Sequence, residues 1–252
     1  MEISVLAILL VVSFATAILS AIIGMAGGIV LLSVMLLFMD PLEAIPLHGV
    51  IQLVSNASRT WIQRPHVDRG IVWRYALPLL PMGFAGLLLA QSLSPPVARA
   101  LIGVFVLAAT WAPGLLLVGA HPERADRNRR FFALGTAVGL LNVTVGATGP
   151  LIAPFFLNLG LTRHQVIGTK AACQTLGHLA KLVVFGAAGF AFLAFAVPLV
   201  LLSAVGIAGT WVGSQILGRV SELWFTRLYK AVLTLIALRL VLVDGLALLG
   251  VG

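Results

Sequence analysis

Eight polar residues stand at helical spacing inside otherwise apolar sequence. His48, Gln52, Asn56 and Arg59 form one set, and Lys170, Gln174, His178 and Lys181 form another. Steps of four and three residues put each set on one face of a helix. Neither set contains an acid. Ionisable side chains at membrane depth are costly and usually face a cavity or a pathway. A route lined by lysine, arginine, histidine and amides suits an anionic substrate. A histidine there could also carry a coupling proton, because imidazole titrates near physiological pH. Plainer roles compete for some of these residues. Arg59 at a helix end could snorkel to the interface, and His48 and His178 could be satisfied packing residues.

The second chemical feature is a pair of glycine breaks. Gly24, Gly27 and Gly28 lie on Gly146, Gly149 and Pro150 at an offset of 122 residues (146 minus 24), and the same offset lays one polar stripe on the other. Glycine permits backbone that ends a helix, and proline cannot donate a backbone hydrogen bond. A helix restarting near Gly28 or Pro150 would present free N–H groups and a positive dipole end to an anion. Asn142, Thr144 and Thr148 add side-chain donors beside the second break.

These residues sit in a chain of 252 residues that is 60% hydrophobic and 10% charged. That composition excludes an ordinary soluble domain and predicts an all-α polytopic membrane protein. Eight apolar segments fall near 3–39, 43–59, 74–92, 98–118, 131–159, 165–186, 190–217 and 224–249. The first would be ~55 Å long as one straight helix, against a hydrocarbon core of ~30 Å. The fifth, at ~43 Å, is also overlong. Both contain a glycine break, so each is expected to fold back as a re-entrant hairpin. Gly135/Gly139 and Gly209/Gly213 are small-residue pairs that let helices approach closely.

Loop charge supports the hairpins. If all eight segments crossed, the basic loop residues would divide 8 against 5. With segments one and five re-entrant, twelve fall on one side and Arg99 stands alone on the other, where the loops carry Glu2, Asp40, Glu43 and Asp244. Positive residues favour the cytoplasm. The chain then reads as two inverted-topology repeats, 1–118 and 131–252, each a hairpin plus three transmembrane helices. A basic cytoplasmic linker, 119–130, joins them. Both termini face outward from the cell inner membrane. Arg59 is expected toward one mouth of the pathway and Lys181 toward the other.

Most of the basic residues behind the net charge of +8 sit in a few loops, which reads as orientation, with no nucleic-acid partner. Cys173 is the single cysteine, which rules out an intramolecular disulfide and a cysteine metal cluster. No nucleotide, metal or cofactor motif is present, so no cofactor and no metal are expected, and no catalytic residue is assigned. Oligomeric state stays open, a homo-oligomer included.

The chain resembles the sulfite exporter TauE/SafE family. The likeness rests on Ile23-Gly24-Met25-Ala26-Gly27-Gly28, on Val67-Asp68-Arg69-Gly70-Ile71-Val72-Trp73-Arg74 leading to Gly83-Phe84-Ala85-Gly86, and on Gly146 to Pro154 followed by Gly168-Thr169-Lys170 and His178-Leu179-Ala180-Lys181. Two departures stand out. Leu31-Leu32-Ser33 occupies a place where family members often carry proline, and the second break reads Gly-Ala-Thr-Gly-Pro in place of a fuller glycine run. The resemblance implies transport of sulfite, a sulfonate or another small organic anion.

Together these readings predict a secondary carrier, an exporter of a small anion by alternating access. An anion channel using the same residues stays open as an alternative. An intramembrane enzyme or a chaperone is disfavoured, because the spans hold no convincing carboxylate pair.

Overall fold

A computed structural model of the chain describes residues 2–23, 27–119, 121–216 and 222–248. Gly24, with Met25 and Ala26, lies outside the described residues. Among the described residues there are eleven α-helices and no strand: α1 Ile3–Ile23, α2 Gly27–Met35, α3 Pro41–Ile62, α4 Arg69–Ala76, α5 Leu79–Ser92, α6 Pro95–Trp111, α7 Arg127–Thr144, α8 Gly149–Ile152, α9 Arg163–Ala187, α10 Ala196–Ile216 and α11 Glu222–Leu248.

Local sequence sets most of the boundaries. Proline opens α3 and α6, at Pro41 and Pro95, where its missing N–H is not needed. Asp68 caps α4 by accepting from the Ile71 N–H, and Asp126 caps α7 by accepting from the Asn128 and Arg129 N–H groups. Thr162 and Gln165 form a reciprocal capping box at the start of α9. The last four residues of the basic stretch 119–130 begin α7.

Ile3–Ala21 and Phe192–Gly213 are each long and apolar enough to cross a membrane, and α4 with α5, bent by 41°, passes the same test only when the pair is counted as one span. With the all-helical fold, they mark a helical membrane protein. The polar stripes of α3 and α9 and the charges of α11 make those long helices less apolar.

Both overlong segments are broken. Gly27 lies beside Thr16: a Cβ on Gly27 would stand 1.9 Å from the Thr16 carbonyl oxygen. Along an unbroken helix those eleven residues would span about 16 Å, so the chain doubles back between α1 and α2. The second break follows Thr144. Gly146 adopts φ +82°, a conformation natural to glycine, and its N–H reaches back to the Leu141 carbonyl. The return arm is α8 and a 3-10 turn, Ala153–Phe156. Arg130, near the start of α7, donates to the carbonyls of Pro154 (3.3 Å) and Leu157 (2.7 Å). The arm therefore ends beside the start of α7. It is shorter than α2 because Pro154 lacks the N–H that would continue the helix by bonding the Pro150 carbonyl.

Close glycine contacts set the helix packing. Gly209 and Gly213 lie against Phe14 and Ile18 of α1, while Gly135 and Gly139 lie against Tyr75 and Leu79. Gly86 of α5 touches Leu140 of α7. Gly103 of α6 touches Ala237 of α11. At the centre α3 and α9 pack antiparallel: Gln63 meets Gly168, Thr60 meets Thr175 and Gly49 meets Lys181.

Charge is sorted between the two ends of the bundle. At one end Arg99 pairs with Asp40 at 2.6 Å and with Asp244 at 3.6 Å. At the other, Arg127 donates to the Asp68 carboxylate, the Asp68 N–H donates to the Thr169 hydroxyl, and His66 lies beside His164.

Candidate functional site

The antiparallel crossing of α3 and α9 brings the two polar stripes together around one cleft. Its empty space, with the open solvent at its mouth, is about 540 Å³. Gly28, His48, Gln52, Asn56 and Arg59 line it from the first half of the chain. Asn142, Thr148, Gly149, Gln174 and His178 line it from the second. No acidic residue is among the lining residues.

The two breaks are held by the stripes themselves. His48 Nε2–H donates to the Gly28 carbonyl at 2.8 Å. The Lys181 ammonium donates to the Gly146 carbonyl at 2.7 Å. Both side chains are buried, so each supplies a donor to a carbonyl at a helix break, where the helical pattern is interrupted. His48 and His178 meet edge to face, ring centres 5.9 Å apart. Asn142 Nδ2–H donates to the Gly177 carbonyl at 2.9 Å.

What remains unpaired is concentrated in this cleft. His48 Nδ1, His178 Nδ1, Asn142 Oδ1 and the Tyr75 hydroxyl are buried and make no hydrogen bond. All four belong to lining residues. An unpaired buried polar atom costs about 1–3 kcal/mol, so four around one cleft describe a surface built to hydrogen-bond something held within it.

The other expected residues take different places. Arg59 lies near Lys170, close enough for their charges to interact, and together they put positive charge at the end of the stripes toward Gln63 and Gly168. Lys181 is fully buried against Gly49. The expectation of Lys181 at a second mouth is therefore corrected: the antiparallel crossing carries position 181 to the level of His48. Gly146 packs on Leu32 and Ile45. Gly27 abuts α1, its N–H donating to the Ser20 hydroxyl oxygen at 3.1 Å. The Thr144 hydroxyl lies near the carbonyls of Leu140 and Gly86, at 2.8 and 3.1 Å, which ties it to helix packing.

Two polar lining residues were not singled out by the sequence reading: Ser20 and Tyr75. Ser20 carried a signal, since the 122-residue offset lays it on Asn142 (142 minus 20). Tyr75 carried little, a lone tyrosine beside Arg74 whose importance comes from reaching across to Gly177.

No curated protein and no solved structure matches the chain. The family description that does match, sulfite exporter TauE/SafE, covers residues 9–240. With the helical membrane fold, that match over most of its length places the chain in the sulfite exporter TauE/SafE family of membrane transporters.

Proposed function

We propose that this chain is a secondary carrier that exports a small oxyanion, sulfite or a sulfonate, by alternating access. The cleft between α3 and α9 is its binding site. The observation that carries this reading is the set of four unpaired buried polar atoms in an acid-free cleft with Arg59 on its wall. The Tyr75 O–H and the neutral Nδ1–H tautomer of His178 would donate to the anion's oxygens, with the amides of Gln52 and Gln174 beside them; His48, whose Nε2–H is held by Gly28, could donate from Nδ1 only on taking up a proton with the anion. Asn142 Oδ1 accepts only, and suits a bound water or a protonated oxygen such as that of bisulfite. The two histidines are also the candidates for a coupling proton.

Alternating access follows from two inverted repeats, 1–118 and 131–252, joined through 119–130. Several contacts support this arrangement. Exchanging the halves maps α1 on α7, α3 on α9, α4 with α5 on α10, and α6 on α11. The packing of α1 with α10 then corresponds to that of α7 with α5, and α3 with α10 corresponds to α9 with α5. The pairs α3–α9 and α6–α11 map on themselves. The antiparallel course of α3 and α9 is the relation expected of inverted halves. The termini are placed outside and the Arg127 end of the bundle in the cytoplasm, by the positive-inside rule.

Ligand stabilisation tests the site. Sulfite at a hundredfold its dissociation constant adds about 2.7 kcal/mol to the state it binds. The purified protein should therefore melt higher in sulfite than in an equal ionic strength of gluconate, and His178→Ala should lose that shift. An unchanged shift in His178→Ala would remove the cleft from the reading.

A further inference from the structure

Backbone carbonyls decide which unpaired atoms of the cleft can donate and which can only accept. Asn142 donates its amide N–H to the Gly177 carbonyl at 2.9 Å. A carbonyl only accepts, so the amide cannot be turned over. Its free atom is then Oδ1, an acceptor with no proton, unpaired in a residue 3% exposed. Asn56 holds its amide the same way, on the Gln52 carbonyl at 2.9 Å, but its oxygen is not among the buried unpaired atoms. His48 gives its Nε2–H to the Gly28 carbonyl, which leaves a lone pair at Nδ1 while the ring is neutral. Imidazole can take up a proton and turn that lone pair into a donor. An amide cannot, so Asn142 is the fixed acceptor.

Gly177 brings this acceptor beside a donor. A Cβ there would stand 2.9 Å from the Tyr75 hydroxyl oxygen and 3.5 Å from Asn142 Nδ2, and Gly177 itself lines the cleft. The bare face of the glycine is therefore flanked by a hydroxyl that can donate and by an amide whose oxygen only accepts. That pair is complementary to one oxygen and one O–H of the same small anion. An oxyanion without a proton can use Tyr75 equally well, but it sets an oxygen lone pair against Asn142 Oδ1, which stays unpaired and repels it. Gln52, Thr148 and Gln174 carry donor and acceptor together and adapt to either kind of anion. Sites built to hydrogen-bond a substrate hydroxyl reject analogues that lack it.

We propose that the cleft selects an oxyanion that carries a proton, bisulfite in preference to sulfite or a sulfonate. Asn142 Oδ1 accepts the anion's O–H while Tyr75 donates to a second oxygen. This deepens the anion reading above and rests on it.

Anions matched in shape and charge test the selection on the purified full chain, each pair compared at one pH so that the histidines are in a common state. Sulfite in mildly acidic buffer is mainly bisulfite, with one charge and a proton; chlorate has the same pyramid of three oxygens and one charge, without the proton. Hydrogen selenite and bromate repeat the comparison at neutral pH. Affinities from thermal-shift titration should favour the proton-bearing anion of each pair by about tenfold. Asn142→Ser, whose hydroxyl can donate as well as accept, should erase that preference. Equal affinities within each pair in the wild-type chain, as a water bridging from Asn142 would give, would overturn the proposal and spare the anion cleft. A preference unchanged in Asn142→Ser would overturn the role given to Asn142. Binding of neither anion to the wild-type chain would refute the anion reading itself. The wild-type comparison decides the selection even where Asn142→Ser fails to fold.

Discussion

Tyr75, His48 and Lys181 divide the polar side chains by what they already hold. Tyr75 is fully buried and its hydroxyl has no partner, so it costs stability unless a ligand uses it. Tyr75→Phe should leave thermal stability equal or slightly higher, because an unsatisfied polar group is removed, while sulfite affinity falls by about tenfold, the worth of one hydrogen bond of about 1.4 kcal/mol. Lys181 makes the opposite case. Its ammonium satisfies the Gly146 carbonyl, so Lys181→Met, similar in volume without the donor, should cost about 1–3 kcal/mol in a denaturant melt. The polar stripes were legible from sequence because costly residues in apolar sequence signal themselves. The division between holding a break and facing a ligand was not, because it depends on carbonyls far away in the chain.

The two broken segments show the same contrast among elements. Their breaks were legible because excess length and glycine are local properties. The unequal return arms, nine helical residues in α2 against four in α8, follow from a proline whose effect depends on where the arm lands. Gly27→Ala would drive a methyl into the Thr16 carbonyl; we expect a loss of about 1–3 kcal/mol, typical of overpacking, read from thermal unfolding. The cap of α4 makes a pH prediction. Partial burial pushes the Asp68 carboxyl up, but the Ile71 N–H and the Arg127 guanidinium together hold it below the ordinary carboxylate range. A lowered folded value means the contribution is fully present above the unfolded pKa of about 3.9 and is lost as pH falls through the folded value. Asp68→Asn should therefore lower the melting temperature at neutral pH, with the gap to wild type closing as the solution is acidified below pH 4 or so.

At the scale of the whole molecule, the loop-charge pattern has a structural counterpart: Arg99 meets Asp40 and Asp244 at one end, while Arg127 and Asp68 meet at the other. An expectation of two sides could be formed from sequence because loop charge is read without knowledge of packing. The antiparallel crossing of α3 and α9, and with it the depth of Lys181, could not be read because it is made by contacts between the halves. If the halves are inverted, a reporter fused within 119–125 is cytoplasmic and one at the N-terminus is external; a cytoplasmic N-terminus would remove the inversion. Transport through one site exposed alternately is the central claim, and counterflow in proteoliposomes tests it most directly. Unlabelled sulfite inside should accelerate entry of labelled sulfite, and His178→Ala or Gln174→Ala should reduce that exchange by tenfold or so, as expected for a lost binding contact of about 1.4 kcal/mol. Sulfite-dependent conductance without acceleration from the opposite side, or exchange unaffected by either substitution, would contradict it.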